Sequence, residues 1–205
     1  YSFGFQAGDG FPDDPNAVLD LYRHPDLRHV LCVSQHDQGL LTHGLGLAPE
    51  RVSHLHNALE SEVFAPGREK QRLVSWMPRK QAQRDGAIVA AMLQRQAWWL
   101  GSGWALEPIA GQVQAGVASI LKRSLVFLAY GHPEGFGLPL AEALACGCYV
   151  IGYSGLGGRE LFQLAADHQA GEEVAYGDWQ GFLLALERLR HRLAHEPAAL
   201  MASLL

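Results

Sequence analysis

The chain contains, from Leu125 to Gly152, the stretch LVFLAYGHPEGFGLPLAEALACGCYVIG. Short apolar runs stand at its two ends, Leu125–Ala129 and Tyr149–Gly152, and the residues of Pro139–Cys146 between them suit a helix. The pattern predicts a strand, a loop that contains glycines, a helix and a second strand. Strands connected in this way are parallel, because parallel neighbours need a crossover connection that is usually a helix.

The same alternation extends along the chain on both sides of this unit. Further strands are predicted at Leu73–Met77 and Trp104–Ile109, and further helices at about Gln81–Gln96, at Gln114–Arg123 and from Asp178, a capping residue, to about Ala194. Repeated alternation of strands and helices indicates right-handed βαβ units. We therefore predict an α/β fold with a Rossmann-like parallel sheet and helices on both of its faces.

The first third of the chain has a different organisation. Val30–Val33 is predicted to be a strand, Ser34 is predicted to cap a following helix, and Arg51–His56 is predicted to be a weaker strand. The connector at residues 57–68 contains a proline and a glycine, which interrupt regular structure. We place a domain boundary in this connector.

The predicted boundary gives a first segment of residues 1–66 and a regular α/β domain of residues 67–205. The chain begins at Tyr1 and not at methionine, and its first residues show no helical or strand periodicity. We therefore expect the chain to be a piece of a longer protein.

Composition and charge narrow the class of protein. With 205 residues, of which 48% are hydrophobic and 18% charged, the chain is typical of soluble globular proteins. Its net charge of −5 argues against a nucleic-acid-binding surface, which normally carries clustered Lys and Arg. Its three cysteines form no CxxC pair, and their odd number indicates no disulfide framework, so a cytoplasmic location is predicted. The sequence shows no apolar run of about 18 residues and no basic leader, so neither a membrane-spanning helix nor a signal peptide is predicted.

The loop and helix inside the opening stretch carry the strongest functional signal. They read Glu134-Gly135-Phe136-Gly137-Leu138-Pro139-Leu140-Ala141-Glu142. The glycines allow a ligand to approach the main chain, and Pro139 suits the first position of a helix, whose bare N-terminus attracts an anion such as a diphosphate. Glu142, predicted in the first turn, can accept hydrogen bonds from the two hydroxyls of a ribose. The alternative interpretation is a tight turn with an acid that complements the helix dipole.

Two other loops are predicted at the same edge of the sheet, where ligands of such folds bind. Arg79 and Lys80 follow the strand at residues 73–77 and can neutralise a diphosphate, although an Arg-Lys pair is also common on a solvated surface. The glycines at 155, 157 and 158 do not complete the pattern G-x-G-x-x-G, because Glu160 occupies the third glycine position. A dinucleotide-dependent dehydrogenase is therefore disfavoured.

The ten histidines do not form a metal-binding pattern. His191 and His195 are one helical turn apart, and His54 and His56 alternate on a strand, yet neither pair has a third ligand at a recognisable spacing. No metal is predicted. His132, two residues before Glu134, is predicted to line the ligand site.

The segment from Glu134 to Glu142 resembles the E-x7-E element of retaining glycosyltransferases with the GT-B fold, especially those of family 4. The segments Arg51–Ala58, Leu73–Lys80, Ala145–Cys148 and Gly157–Glu160 resemble other parts of the same family, so the similarity extends over about residues 30–185. GT-B enzymes have two facing Rossmann-like domains, and the resemblance lies mainly in the C-terminal, donor-binding one.

This resemblance implies roles for the residues that contact the nucleotide. Arg79 and Lys80 bind the donor diphosphate, Glu142 holds the ribose, and the main chain near Ile109 and Ala110 meets the base. The two basic residues are adjacent here, whereas the family normally separates them, so the resemblance assigns them only as a pair.

The resemblance also implies how the sugar is transferred. Glu134 is the catalytic residue, and it contacts the transferred sugar together with the backbone of Gly135, Phe136, Gly137 and Leu138. Retention in this family is commonly described as front-face attack, in which the departing diphosphate helps to deprotonate the acceptor hydroxyl. The nucleotide-diphosphate sugar is then a substrate, and neither a cofactor nor a metal is expected.

The implied protein is a hexosyltransferase-type enzyme of polysaccharide or glycoconjugate biosynthesis, with this chain supplying mainly the donor site. Residues 1–66 correspond to a partial acceptor-side segment, so the isolated chain is expected to transfer sugar slowly or not at all. Peripheral membrane contact is expected only through the missing N-terminal part. Two alternatives are a non-catalytic donor-binding or pseudo-transferase partner subunit and a nucleotide-sugar epimerase of the same fold. The acceptor is not identified by the sequence.

Overall fold

The structure is a computed structural model that describes residues 15–79 and 82–204. Its elements occur in the order α1 (Pro15–Arg23), β1 (Val30–Cys32), α2 (Gln35–Gly39), β2 (Val52–His54), β3 (Gln71–Trp76), α3 (Ala82–Leu93), β4 (Ala105–Pro108), α4 (Gln114–Arg123), β5 (Ser124–Ala129), α5 (Leu138–Ala145), β6 (Tyr149–Gly152), α6 (Arg159–Asp167), β7 (Gly171–Glu173), α7 (Trp179–His195) and α8 (Pro197–Ser203). A π-helical turn at Leu40–Gly44 continues α2, and a 3₁₀ turn at Pro49–Arg51 precedes β2.

Strands β3 to β7 form one parallel sheet in the spatial order β4-β3-β5-β6-β7. Val74 of β3 pairs with Leu106 of β4 on one side and with Val126 of β5 on the other. The chain therefore places β4 on one side of β3 and all later strands on the opposite side. This sheet confirms the predicted Rossmann-like fold, and its strand order reverses between β3 and β5.

Helices cover both faces of this sheet. The six residues of β5 are all buried, and its central side chains alternate between two cores. Val126 and Leu128 pack with α3, α7 and α8, whereas Phe127 and Ala129 pack with α4, α5 and α6. Burial on both faces explains why the central strands are continuous apolar runs in the sequence.

Strands β1 and β2 form a separate two-stranded parallel sheet before the main one. The hydroxyl of Ser34 accepts a hydrogen bond of 3.1 Å from the backbone N–H of Asp37, which confirms the predicted helix cap. This segment lies against the main domain, because the Gln35 N–H donates to the Glu160 carboxylate at 3.0 Å. The domain boundary near residue 66 stays a prediction.

Four elements, α1, α6, β7 and α8, have no counterpart among the predicted ones. Strand β7 is three residues long and contains two glutamates, so it shows no apolar run. Helix α6 begins after Gly158, which has no side chain to cap it, so the usual start signal is missing. Strand β7 completes the sheet and α6 packs on one of its faces, and a local sequence pattern reveals neither contact.

The N-terminal cap of α7 can be tested by mutation. The Asp178 carboxylate accepts a hydrogen bond of 2.9 Å from the Gly181 N–H, and the helix that it begins buries Phe182 and Leu189. We expect Asp178→Ala to lower the free energy of unfolding by about 0.5–2 kcal/mol, since that amide loses its partner. Urea denaturation followed by circular dichroism measures this. The control Asp20→Ala removes an exposed acid in α1, and an equal loss in both variants would contradict a specific role for the cap.

Candidate functional site

The candidate site lies where the strand order reverses. The loops that leave the carboxyl ends of β3 and β5 diverge at this point, and one carries Arg79 while the other carries residues 130–137. A crevice at such a switch point is the usual ligand site of open α/β sheets. The two loops that the sequence singles out are therefore brought together by topology.

A cavity of about 470 Å³, the main cavity, opens at this edge. It is lined by Arg79, by residues 134–139 and by Glu142, so it joins three predicted parts of the site. The first segment of the chain contributes Val33 and Asn57 to the opposite wall, and the Asn57 side-chain amide donates to the Val33 carbonyl at 3.3 Å.

The N-terminus of α5 faces the main cavity without a side-chain cap. Gly137 occupies the N-cap position in the left-handed conformation, with φ 91°. The N–H groups of Leu140 and Ala141 both bond to its carbonyl, at 2.9 and 3.1 Å. The helix begins at Leu138, so Pro139 is its second residue and not its first. The positive end of the helix dipole therefore points to this cavity, as an anion site requires.

Glu142 lies one residue further into the helix than predicted. It is the fifth residue of α5, so its predicted place in the first turn is wrong because the helix begins one residue earlier than the sequence pattern indicates. Its side chain is half-buried and still lines the main cavity. Burial raises the pKa of the Glu142 carboxyl, and the nearby positive charge of Arg79 opposes this rise.

Glu134 is held by the glycine-rich loop that follows β6. Its backbone N–H donates to the Gly155 carbonyl at 2.7 Å, and its carbonyl accepts from the Gly157 N–H at 3.1 Å. The side chain of Glu134 occupies space that a Cβ on Gly131 or Gly155 would fill. Gly155 and Gly157 therefore position Glu134. A loop that served only as a tight turn would not need these contacts.

Arg79 is exposed at the rim of the main cavity, directly after β3. Its backbone N–H donates to the Met77 carbonyl at 2.8 Å, and its own carbonyl accepts from the Ala82 N–H at 3.0 Å, so both ends of this turn are anchored. Lys80, its predicted partner, lies outside the described residues.

Ile109 and Ala110 do not line the main cavity as the structure describes it. The Ile109 side chain is buried in the core below, and its N–H donates to the Trp76 carbonyl at 2.7 Å. Gln114 and Val117 of α4 line this part of the wall instead, although the sequence analysis does not identify them as site residues. Gln114 begins the helix that follows β4. Its position just after a strand of the parallel sheet is the sequence signal that could have identified it as a site residue. The predicted contact of residues 109 and 110 with a base stays a prediction.

A second cavity, of about 270 Å³, lies on the other side of Glu134. Its walls come from α2 and the turn after it and from the loops after β5, β6 and β7, and its lining residues are His36, Asp37, Leu40, His132, Pro133, Glu134, Leu156 and Tyr176. The ring of His132 stacks on that of Tyr176 at 4.1 Å between centroids. His132 thus lines the second cavity and not the main one, and its predicted contact with the ligand stays a prediction.

Among the residues that the structure describes, no group of three or more His, Cys, Asp or Glu side chains could hold a metal ion. No helix within residues 15–79 and 82–204 has the length and apolar character needed to cross a membrane. The predicted absence of a metal stays a prediction.

Comparisons with known proteins agree with the fold. The family model for group 1 glycosyl transferases matches residues 93–192, which include the segment Glu134–Glu142. No curated protein sequence matches the chain significantly.

Solved structures of glycosyltransferases are similar to the chain at low identity. A glycosyltransferase from Rickettsia africae superposes with a TM-score of 0.66 and 13% identity over 95% of this chain and 63% of its own. The Anabaena protein HepE in complex with UDP and glucose has a TM-score of 0.61 and 13% identity, covering 86% of this chain and 57% of its own. The C-terminal domain of a group 1 glycosyl transferase from Francisella tularensis has a TM-score of 0.52 and 16% identity, covering 71% of this chain and 93% of that domain.

The chain thus spans less than two thirds of the length of the Rickettsia and Anabaena proteins, while its sheet corresponds to an isolated C-terminal domain. The strand order, the helices on both faces and these superpositions lead to the same assignment. The chain has the fold of the C-terminal, Rossmann-like half of the GT-B glycosyltransferases, and a short segment with its own two-stranded parallel sheet precedes that half.

Proposed function

We propose that the chain supplies the donor site of a retaining glycosyltransferase that transfers a sugar from a nucleoside-diphosphate sugar to an acceptor hydroxyl. The observation that carries this proposal is the main cavity, which an uncapped helix N-terminus, Arg79 and Glu142 line together at the switch point of the sheet. A phosphate-bearing ligand with a diol matches these groups.

The diphosphate would lie between the N-terminus of α5 and Arg79. Both carry positive charge toward the main cavity, one as the positive end of a helix dipole and the other as a guanidinium that can bind two phosphate oxygens. Lys80 follows Arg79 in the sequence and is proposed as a second cation for the same group.

The ribose would lie against Glu142, whose half-buried carboxylate can accept hydrogen bonds from both ribose hydroxyls. The main chain at Ile109 and Ala110 remains our proposal for the contact with the base.

The transferred sugar would lie beside Glu134 and the backbone of residues 135–138. In the proposed step the bond between the anomeric carbon and the phosphate oxygen breaks, and its electron pair stays on the phosphate. The acceptor oxygen forms its bond to the same face of that carbon, and its proton goes to the departing phosphate. Glu134 orients the sugar in this step and forms no covalent bond to it. Its backbone is fixed by hydrogen bonds, which supports this role because correct positioning of the reactants lowers the activation barrier.

The comparisons support this proposal in two ways. The group 1 glycosyl transferase model matches the part of the chain that contains Glu134 and Glu142. A structurally similar protein, Anabaena HepE, was solved with UDP and glucose bound. We also propose a cytoplasmic location, supported by three cysteines that are all buried and free.

The first test is isothermal calorimetry of the chain with UDP, GDP and ADP. We expect at least one of them to bind with a dissociation constant in roughly the micromolar range, that is, about −8 kcal/mol at 1 μM, and the preferred one identifies the donor class. Addition of EDTA is expected to leave binding unchanged, because Arg79 and the helix end supply the positive charge. Failure of all three nucleotides to bind protein that is folded by circular dichroism would rule out the donor site, and loss of binding in EDTA would reveal a metal.

A further inference from the structure

Residues 30–54, which contain β1, α2 and β2, form a small packing unit that we call the β1–β2 unit. Among the described residues, its buried apolar side chains form a cluster separate from the two cores of the main domain, and they are Cys32, Leu41, Leu47 and Val52. Units that are not joined by a large apolar interface move relative to each other by default. The position of the β1–β2 unit therefore depends on side chains that reach it from the main domain.

Glu160 reaches the β1–β2 unit from the main domain. It is the second residue of α6, and its two carboxylate oxygens contact different parts of the unit. Oε2 accepts a hydrogen bond of 3.0 Å from the backbone N–H of Gln35, and Oε1 lies 3.7 Å from Nε2 of His54. One carboxylate thus bridges the start of α2 and the end of β2.

His54 adds a charge that depends on pH. Its Nε2 is buried and has no hydrogen-bond partner among the described residues, and the side chains of His54 and Glu160 are only 13% and 21% exposed. Salt and solvent therefore screen this pair less than they screen a surface pair. Imidazole is the side chain that normally changes charge between pH 5 and 8. Protonation of the ring would turn this contact into an ion pair.

The elements next to His54 carry further titratable residues, which are Cys32 on β1, His36 and Asp37 on α2, Arg51 before β2, His56 after it and Arg159 on α6. The ring of His56 lies edge-on to that of His54, at 4.6 Å between centroids, and competes as a cation when it is protonated. Arg51 donates instead to the Leu27 carbonyl, and Arg159 is exposed.

The acidic groups at this interface repel each other. Burial raises the pKa of the Asp37 carboxyl, the positive charge of His36 opposes this rise, and the negative charge of Glu160 adds to it. Burial also raises the pKa of the Cys32 thiol, which stays neutral at neutral pH. The interface therefore brings two carboxylates into electrostatic range of each other, and a positive charge on His54 relieves their repulsion.

The β1–β2 unit also determines where one wall of the main cavity lies. Val33 follows β1 directly, Asn57 lies three residues after β2, and both line that cavity. The Asn57 side-chain amide donates to the Val33 carbonyl at 3.3 Å, so the two residues move together. A change in how the unit sits on α6 therefore changes the width of the main cavity.

We propose that Glu160 is a positioning residue of the main cavity, and that it holds the β1–β2 unit on α6 as a latch that tightens when His54 is protonated. Only the docked unit places the carboxylate beside this ring, so the docked state binds the proton more tightly. Docking should therefore weaken as the pH rises from 6 to 8. The effect on nucleotide binding rests on the proposed function, whereas the latch does not.

The latch is tested by NMR hydrogen exchange of backbone amides at pH 6 and pH 8 without nucleotide, corrected for the intrinsic exchange rate at each pH. The Gln35 amide reports the latch, because its partner is Glu160. The Asp37 amide is the internal reference, because it donates at 3.1 Å to Ser34 within the same unit. His54→Gln removes the titrating ring, and His43→Gln, at an exposed position after α2, is its matched control.

We expect the protection of the Gln35 amide to be at least threefold higher at pH 6 than at pH 8 in wild type and His43→Gln. His54→Gln should remove this difference. Glu160→Gln can still accept the hydrogen bond, so it should keep the protection that wild type has at pH 8 and lose the increase at pH 6. Glu160→Ala should lower the protection at least fivefold at both pH values. The protection of the Asp37 amide should stay within twofold throughout.

Calorimetry with UDP, GDP and ADP at pH 7 tests the effect on the main cavity. Glu160→Ala should weaken the binding of the tightest of the three at least threefold, whereas His43→Gln should leave it unchanged. Unchanged affinity in Glu160→Ala would refute the positioning role.

The latch itself is overturned if the protection of the Gln35 amide does not depend on pH in wild type, or if the dependence persists in His54→Gln. An equal loss of protection at Gln35 and Asp37 in Glu160→Ala would also overturn it, because Glu160 would then stabilise the fold of the unit and not its docking. If no nucleotide binds wild type, the proposed donor site fails, and the amides still decide whether the latch exists.

Discussion

Replacing Glu142 with alanine is expected to weaken nucleoside-diphosphate binding by about 1.5–3 kcal/mol, or roughly ten- to a hundredfold in the dissociation constant. The carboxylate lines the main cavity one turn below the uncapped helix end, where a ribose attached to a bound diphosphate would lie. Hydrogen bonds from two hydroxyls to a half-buried charged group are lost in the variant. Calorimetry with the preferred nucleotide measures the change.

The same change should leave the fold nearly intact, because Glu142 is not part of either core of the main domain. Glu50→Ala, which removes an exposed glutamate from the 3₁₀ turn, is the control for the loss of a negative charge. The 2′-deoxy form of the nucleotide should already bind wild type weakly and should lose little more in Glu142→Ala. Equal affinity of wild type for the ribose and deoxyribose forms would show that Glu142 has another role.

The protonation of Glu142 adds a dependence on pH. Burial raises the pKa of this carboxyl, so the protonated form begins to accumulate at a higher pH than for an exposed glutamate. A protonated carboxyl is a poorer acceptor for ribose hydroxyls, so nucleotide affinity should fall as the pH is lowered through this pKa. The Glu142→Gln variant should show a flatter profile, and identical profiles in both proteins would assign the titration to the nucleotide.

Replacing Gly157 with alanine is expected to lower the free energy of unfolding by about 1–3 kcal/mol, as overpacking does, and to weaken nucleotide binding at least tenfold. A Cβ on Gly157 would overlap the carbonyl oxygen of Gly135 and would lie 2.5 Å from that of Glu134. Both atoms are backbone, so the loop that carries Glu134 has to move. That loop leads directly into the helix end that faces the main cavity.

Gly39→Ala is the matched control, because a Cβ there meets no atom within 4 Å and the residue is helical. We expect this control to be neutral or to stabilise the protein by about 0.5–1 kcal/mol, since alanine favours a helix more than glycine does. Thermal denaturation and calorimetry on both variants provide the comparison. Nucleotide binding that survives unchanged in Gly157→Ala would show that the position of the Glu134 loop does not govern the donor site.

Much of the main domain could be predicted from local patterns. Helix α4 and strand β6 have the predicted bounds, and β5 begins one residue earlier than predicted, because long apolar runs and helical periodicity are strong signals. The bare end of α5 was also predictable, since Gly137 and Pro139 have conformational preferences of their own. The turn that holds Glu142 was not, because a proline marks the start of a helix only to within a residue, and the helix starts at Leu138 and not at Pro139.

The sequence by itself determined the central strands and most of the helices that cover them, that the sheet is parallel, and that Arg79, Glu134 and Glu142 are candidates for one site. Those properties follow from residues that are neighbours in the chain. Only the tertiary structure decided that the strand order reverses between β3 and β5, that Gly155 and Gly157 hold Glu134, and that Glu160 contacts Gln35. These contacts join residues far apart in the sequence, and packing between distant segments leaves no periodic pattern from which it could be predicted.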